Sequence, residues 1–288
     1  KFNGGLVGYF GYDCVRYIEP RLKKSQPTDN LGTPDALFMV SEEVAVFDNL
    51  KNKLYLIILV NSDSKEEKKK AENRLDNLEK KLQNPLPDQA LIQPKESIDE
   101  SDFVSGFGEN EFKSAVNKVK EYIYSGDVMQ VVCSQRMSIP FTADPVALYR
   151  AIRHLNPSPY LYYLHLGEFH IVGSSPEILA RLEDDEVTVR PIAGTRRRGR
   201  DNDDDLAMEE DMINDPKEIA EHLMLIDLGR NDIGRVAEPG SVEVTQKFGV
   251  ERYSHVMHMV SNVKAKLKEG LSSMDVFKAT FPAGTVSG

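Results

Sequence analysis

The sequence predicts an α+β fold in which mixed or antiparallel sheets are flanked by helices. Predicted strands outnumber predicted helices, several strands follow one another after a short turn, and the helices carry an apolar stripe. Consecutive strands without an intervening helix favour this fold class over a doubly wound parallel sheet. With 288 residues, 40% of them hydrophobic and 28% charged, the chain has the size and composition of a globular protein with one or two domains.

The first 83 residues are predicted to be part of an N-terminal domain. A glycine-rich apolar opening at residues 4–13 permits tight turns but lacks the spacing of a phosphate loop. Strands are predicted at residues 36–47 and 53–60, separated by a polar turn. A charged helix is predicted at residues 65–82. Its apolar stripe, which suits docking on a sheet, comprises Ala71, Leu75, Leu78 and Leu82.

A polar, proline-containing stretch at residues 84–102 is the predicted linker to a catalytic domain at residues 103–288. In that domain the helical pattern occurs at residues 111–125, 145–155 and 216–228. The predicted strands are 128–139, 160–166, 170–173, 186–192, 241–248 and 253–266.

Composition excludes several classes of partner. A net charge of −10 disfavours nucleic acid and anionic membrane, because phosphate binding needs a cationic surface. No apolar run reaches the roughly 20 residues that span a bilayer. Two cysteines, Cys14 and Cys133, exclude a disulfide framework and fit a reducing compartment. The chain starts without a methionine or a signal peptide, so we expect a cytoplasmic protein whose true N-terminus is missing.

A pair of carboxylates is the strongest candidate for a metal site. Glu218 and Glu221 lie roughly 60° apart on one face of the predicted helix. Such a pair suits a hard cation such as Mg²⁺, which prefers oxygen ligands. Asp215 and Glu218 also form a capping-box pattern, which the spacing alone favours. A Glu218 side chain folded back onto the cap cannot hold a metal, so the two alternatives exclude each other.

Two charged runs precede this helix. The basic run at residues 190–200 contains Gly194 and Thr195, whose N–H and hydroxyl groups can hold a carboxylate, although the pattern alone favours a surface turn. The acidic run at residues 201–211 lacks the spacing of a calcium loop. We expect it to be a solvated, mobile loop.

Three histidines are candidate functional residues. His255 and His258 are predicted to point to opposite faces of one strand, so they cannot easily share a metal. The side of His258 also carries Val256 and Val260, which favours a core histidine. His222, on the carboxylate helix, is compatible with a surface position.

Seven segments, taken in order, resemble the chorismate-using enzymes, and most closely the large subunits of anthranilate synthase. The opening GGLVGYFGYD is similar to the N-terminal domain of that family. The seven segments are GDVMQVVCSQR (126–136), NPSPYLYYL (156–164), GSSPEIL (173–179), RPIAGTRRRG (190–199), EIAEHLMLIDLGRND (218–232), RYSHVMH (252–258) and FPAGTVSG (281–288). The resemblance implies the layered chorismate-binding fold, here truncated at both ends, and little activity from these 288 residues alone.

The resemblance also implies an activity. It is that of a Mg²⁺-dependent lyase of tryptophan biosynthesis, which converts chorismate and ammonia to anthranilate and pyruvate. The ammonia would come from a glutamine amidotransferase subunit, anthranilate synthase component II. Gln130 stands where water-adding relatives have a lysine base, and Ala193 stands where many aminodeoxychorismate synthases have lysine. The alternatives are aminodeoxychorismate synthase component I of the folate pathway, and a non-catalytic regulator that binds chorismate or tryptophan.

Catalytic roles follow from the same resemblance. Glu218 and Glu221 correspond to ligands of Mg²⁺, and Glu218 also to the general acid for the departing hydroxyl group. His258 corresponds to the residue that promotes loss of pyruvate, and Thr285 to a hydroxyl that positions the substrate. A second pair of metal-binding carboxylates would lie beyond Gly288.

The remaining implied sites bind small molecules. Gly194, Thr195 and Gln130 correspond to substrate-binding positions. Tryptophan would act as a feedback inhibitor at a pocket with one wall formed by Asn156, Pro159 and Tyr160.

Overall fold

The computed structural model describes residues 2–61, 63–85 and 98–283. The chain forms two compact units, Lys1–Gln93 with Leu164–Ile171, and Pro94–Tyr163 with Val172–Gly288. The division into domains at 1–83 and 103–288 stays a prediction, and most of the predicted linker lies outside the described residues. No helix in the described part of the chain is both long and apolar enough to cross a membrane.

The first unit contains two antiparallel strand pairs. Its elements are β1 (Gly5–Phe10), α1 (Val15–Ile18), β2 (Ala36–Ser41), β3 (Glu43–Asp48), β4 (Lys53–Ile58) and α2 (Lys65–Gln83). β1 pairs with β2, and β3 pairs with β4. The single strand predicted at residues 36–47 is therefore two strands, because the chain changes partner at Glu42.

The charged helix predicted at residues 65–82 is confirmed as α2. The side chain of Ser64 caps it by accepting the N–H of Glu67 at 3.2 Å. Arg74 donates two hydrogen bonds, of 2.7 and 2.9 Å, to Glu43 on β3. The predicted apolar stripe is half-buried at its first three positions, whereas Leu82 is exposed.

The second unit begins with short elements. They are β5 (Val104–Ser105), α3 (Glu109–Tyr124), β6 (Met137–Ser138) and α4 (Pro145–Leu155), followed by the antiparallel pair β7 (Tyr160–His165) and β8 (His170–Ser175), whose tip belongs to the first unit. α3 and α4 confirm two predicted helices. The strand predicted at residues 128–139 is wrong except at β6. Its alternating sequence favours an extended chain, but a strand also needs a partner along its whole length.

An antiparallel five-stranded sheet dominates the second unit. Its strands are β9 (Arg181–Glu183), β10 (Glu186–Val189), β11 (Ile192–Arg197), β12 (Glu243–Arg252) and β13 (Val256–Lys266). β13 is central: β12 pairs along one edge, β11 and β10 pair with successive halves of the other edge, and β9 lies outside β10. The strand predicted at residues 186–192 thus ends at Val189, and Ile192 begins a separate strand.

Three helices accompany this sheet, namely α5 (Asn202–Asn214), α6 (Pro216–Gly234) and α7 (Ser273–Thr280). Alternate residues of β13 are buried: Met257 and Met259 join Met212 of α5, whereas Val263 and Ala265 join apolar residues of α6 and α7. This period-2 burial places α5 and α6 against successive parts of the sheet. α6 extends six residues beyond the predicted helix, to Gly234.

The acidic run at residues 201–211 is helical, so the expectation of a mobile loop is wrong. Asp201 caps α5 by accepting the N–H of Asp204 at 2.9 Å. Acidic side chains in the first turn of a helix are stabilised by its dipole. Two of them, Asp204 and Asp205, also pair with arginines. The run is therefore ordered by contacts with arginines at the end of β11, which precede it in the sequence, rather than by its own spacing.

Candidate active site

α6 carries the predicted carboxylate pair. The contacts in its first turn show whether the Glu218 side chain folds back onto the helix cap or points away from it. The side chain of Asp215 caps the helix by accepting the N–H groups of Lys217 at 2.9 Å and Glu218 at 3.5 Å. The carboxylate of Glu218 does not complete a capping box. Its Oε1 accepts a hydrogen bond from Arg196 Nη1 at 3.2 Å. The capping box that the spacing favours is therefore only half formed, and Glu218 faces β11.

A bulge in β11 brings the backbone close to Glu218. Ala193 pairs with Met259 and Thr195 with His258, which leaves Gly194 as the extra residue. Gly194 has φ +66°, in the left-handed region that favours glycine. A Cβ at this position would lie 3.4 Å from Glu218 Oε2. The glycine thus permits the bulge, and the backbone there lies close to Glu218 and to the buried side chain of Met212.

His258 lies on the other side of the same bulge. Its Nδ1 is 3.0 Å from the carbonyl oxygen of Gly194 and 3.2 Å from Thr195 Oγ1. Because a carbonyl oxygen only accepts, Nδ1 carries the proton and the Nε2 of the neutral ring is an acceptor. His258 is half-buried, so the core position that the pattern favours is wrong. His255 precedes β13, and the expected opposite strand faces do not apply to it.

Gln130 is joined to the second carboxylate. Its Nε2 donates a hydrogen bond to Glu221 Oε1 at 3.2 Å, although residues 128–136 form no regular strand. Gly194, Thr195, Glu218 and His258 therefore meet at the bulge, and Gln130 contacts Glu221 one helical turn farther along α6.

The basic run at residues 190–200 is not a free cationic surface. Arg196 donates hydrogen bonds to Asp211, Asp215 and Glu218, and these bonds, that to Asp211 foremost, raise the pKa of its guanidinium. The next two arginines pair with acidic residues of α5. The surface turn that the pattern favours is instead largely β11, whose arginines hold α5 in place.

Glu177 is a candidate that motif reasoning did not single out. It lines a cavity of about 270 Å³ between the Ser175–Leu179 segment, β10 and α6. Burial raises the pKa of Glu177 to about 7, against the lowering effects of the Ile192 N–H and of Arg190. Asp232 lines the same cavity, and burial raises its pKa to about 6. The sequence motif does not show whether these carboxyl groups are buried, so neither pKa shift could be predicted from it.

His222 is wholly buried rather than at the surface. Its Nε2 lies 2.7 Å from Ser261 Oγ, which also accepts the N–H of Phe248 at 3.1 Å. Burial lowers the pKa of His222 to about 4, so the ring is neutral near pH 7. This contact ties α6 to β13 at the residue that follows Glu221.

Comparison with known proteins decides the family. A family model described as chorismate binding enzyme matches residues 1–288.

The chain belongs to the chorismate binding enzyme family.

Relatives within the family are similar along the whole chain. The chain is 55% identical over 289 residues to anthranilate synthase component 1 of Pseudomonas putida, covering all of this chain and 59% of that protein. The crystal structure of anthranilate synthase component I from Streptococcus pneumoniae matches with a TM-score of 0.87 and 39% identity, over 100% of this chain and 62% of that chain. The chain therefore spans about three fifths of the length of these relatives.

A more distant structural neighbour shows the fold alone. The menaquinone-specific isochorismate synthase from Escherichia coli matches with a TM-score of 0.66 and 14% identity, over 99% of this chain and 65% of that chain. The resemblance drawn from the seven segments and the α+β fold class with antiparallel sheets are both confirmed.

The donor set on α6 fits the metal that the resemblance to this family implies. Glu218 and Glu221 supply only carboxylate oxygens, and Mg²⁺ takes one or two carboxylates while keeping several waters. Glu218 is free of its own helix cap, and its second oxygen, Oε2, faces the backbone of Gly194. Within residues 2–61, 63–85 and 98–283, no cluster of three or more histidine, cysteine or acidic side chains is placed to hold a metal. Glu218 and Glu221 are thus the candidate ligands that the described part of the chain offers.

The other family positions lie elsewhere. Asn156 ends α4, and its carbonyl oxygen accepts a hydrogen bond from Ser174 Oγ at 2.9 Å. Pro159 and Tyr160 stand at the start of β7, and no described contact joins these three to the bulge. Thr285 lies outside the described residues.

Proposed function

We propose that this chain is the chorismate-converting part of an anthranilate synthase large subunit, a Mg²⁺-dependent lyase that turns chorismate and ammonia into anthranilate and pyruvate. The observation that carries the proposal is the meeting of Glu218, Thr195 and His258 at the Gly194 bulge. Identity of 48–55% to the anthranilate synthase component 1 relatives, over the whole chain, supports the choice among family members.

Glu218 and Glu221 would hold the Mg²⁺, which, when bound, neutralises a carboxylate of the substrate and orients it. Gly194 lies beside Glu218 and Thr195 follows it, and a backbone N–H and a hydroxyl group suit recognition of a carboxylate. Gln130 borders the pair through Glu221. An amide cannot take a proton from water, so this position favours attack by ammonia, which needs less activation.

His258 is the proposed base. With the proton on Nδ1 and directed at the Gly194 carbonyl oxygen, Nε2 keeps its lone pair for a ring proton. Loss of that proton from the aminated ring accompanies departure of pyruvate and makes the ring aromatic. The contact with Thr195 helps to hold the imidazole in one orientation.

Two acids are candidates for protonating the departing hydroxyl group. The resemblance implies Glu218, which meets the substrate space at the bulge. Glu177 has a pKa near 7, which suits a general acid at neutral pH, and the N–H of Ile192 holds its carboxyl group two residues from Gly194. We propose Glu177 as the second candidate beside Glu218.

The proposed reaction needs ammonia, and we propose a glutamine amidotransferase subunit as its source. The relatives are named component 1, which implies a second component, and this supports the partner. Feedback inhibition by tryptophan at Asn156, Pro159 and Tyr160, substrate positioning by Thr285, and a cytoplasmic location remain predictions.

Product analysis of the full-length protein tests this function. The protein would be given chorismate, MgCl₂ and an ammonium salt, while anthranilate fluorescence and pyruvate are measured together. We expect both products in equal amounts. An aminated, non-aromatic product without pyruvate would indicate the aminodeoxychorismate reaction. Absence of any turnover, with chorismate or tryptophan still bound, would indicate a regulator.

A further inference from the structure

Arg196 has an unusual set of partners. Its Nε donates to Asp211 at 2.6 Å, its Nη2 to Asp215 at 2.9 Å, and its Nη1 to Glu218 at 3.2 Å. The remaining contact of Nη1 is with the carbonyl oxygen of Thr195 at 3.1 Å. Each guanidinium nitrogen thus bonds to a different carboxylate, and the side chain is only 20% exposed.

One of these three carboxylates is the proposed metal ligand. A guanidinium on Glu218 Oε1 neutralises the charge that would attract a divalent ion, and two cations that share a carboxylate repel each other. The other two carboxylates belong to α5 and to the cap of α6, so they keep the arginine in place when Glu218 is taken by the ion. The arginine can therefore yield Glu218 without leaving the site.

We propose that Arg196 is a built-in counter-cation of Glu218 that competes with the divalent ion and so weakens metal binding to the carboxylate pair. This inference rests on the proposed function, because it takes Glu218 and Glu221 as metal ligands. Arg196 here is a positioning residue, since it acts through Glu218. In the absence of the ion it keeps the carboxylate neutralised and directed toward β11.

Direct binding of Mn²⁺ to the full-length protein, followed by electron paramagnetic resonance, tests this proposal without a turnover assay. Arg196→Gln should bind Mn²⁺ more tightly than the unmodified protein, on the order of tenfold, because the competing cation is gone. A purely structural arginine predicts the opposite, since its loss would disorder Glu218. Arg197→Gln is the matched control: it removes the next arginine of β11, which pairs with Asp204 rather than Glu218, and should leave the affinity unchanged.

A double variant separates release of Glu218 from a gain in negative charge. Arg196→Gln with Asp211→Asn restores the local charge balance and leaves fewer unpaired carboxylates, so it also serves if the single variant fails to fold. Tighter Mn²⁺ binding by the double variant supports the proposal, whereas unchanged or weaker binding overturns it.

Glu218→Gln distinguishes this inference from the proposed function. If Mn²⁺ binds equally well to Glu218→Gln, or does not bind the unmodified protein, the metal site fails and the role of Arg196 fails with it. If binding needs Glu218 but neither arginine variant tightens it, the role of Arg196 alone is wrong and the proposed metal site stands.

Discussion

Gly194 occupies a position where a larger residue would disturb the proposed site. The bulge places the backbone of β11 against a carboxylate on one side and an imidazole on the other, and a side chain at this position would contact Glu218 and Met212. The left-handed conformation at φ +66° adds a second reason for glycine. Both reasons concern one residue, so one substitution tests them.

We expect Gly194→Ala to lower the turnover of the full-length protein about 100-fold, because a misplacement near 1 Å at a reacting group has that effect. Its folding stability should fall by about 1–2 kcal/mol, the cost of a left-handed alanine. Steady-state anthranilate formation and urea unfolding measure the two effects.

Gly240→Ala is the matched control for that substitution. Gly240 has φ +80°, but a Cβ there meets nothing within 4 Å. It should show a similar loss of stability with normal turnover. Equal losses of turnover in the two variants would contradict the proposed role of the bulge.

The raised pKa of Glu177 predicts that the folding stability depends on pH. Burial raises its pKa from 4.5 to about 7, so between these values the folded chain binds more protons than the unfolded chain. Stability should therefore fall as pH rises through that window, by roughly 3 kcal/mol. Asp232 acts in the same direction at lower pH.

Glu177→Gln should remove most of this decline. Urea unfolding of the full-length protein at pH 5 and pH 8 measures it: the variant should match the unmodified protein at pH 5 and exceed it at pH 8. Parallel stability profiles for the two proteins would show that Glu177 is not held in its protonated form by burial.

At the scale of elements, α5 shows how far a local pattern can mislead. Its acidic sequence predicts a solvated loop, yet Asp205 is buried and accepts hydrogen bonds from Arg198 Nε at 2.9 Å and from the N–H of Gly199 at 2.7 Å. These contacts join residues that are close in sequence, but they exist only because β11 is itself paired with β13. The order of α5 therefore depends on the pairing of β11 with β13, which the acidic run itself does not encode.

Asp205→Asn should clearly lower the urea midpoint of the full-length protein, because it removes the negative charge that forms ion pairs with both Arg198 and Arg252. Asp203→Asn, an exposed position in the same helical turn, should change the midpoint little. The pKa of Asp205 is lowered to about 2, mainly by Arg198, so its contribution should vanish as pH falls from about 4 toward 2. Equal midpoints for the two variants would mean that α5 is held by packing alone.

Elements with strong local signals were predictable. α4 begins at an aspartate cap followed by proline and ends before Asn156-Pro157, and α6 begins the same way at Asp215-Pro216. The strand predicted at residues 128–139 failed for the opposite reason. Alternation sets which faces a strand would present, whereas a partner strand decides whether it forms, and that partner is distant in sequence.

At the scale of the whole molecule, the antiparallel arrangement was predictable and the site was only partly so. Helical spacing places Glu218 and Glu221 together without any tertiary information. The approach of Glu218 to Gly194 depends on the packing of α6 against the sheet, which no local pattern encodes. The raised pKa of Glu177 and the burial of His222 depend on tertiary packing as well. Family resemblance supplied the residues of the bulge, and the structure supplied their contacts.

The account depends most on whether the carboxylate pair of α6 binds a divalent ion. Crystals of the full-length protein grown with Mn²⁺ and chorismate, or with the products, would reveal the ion directly by anomalous scattering at the manganese edge. The account predicts a single strong peak within ligand distance of Glu218 and Glu221, beside Gly194, with Arg196 no longer on Glu218 Oε1. A peak elsewhere, with both carboxylates turned toward bulk solvent, would contradict it.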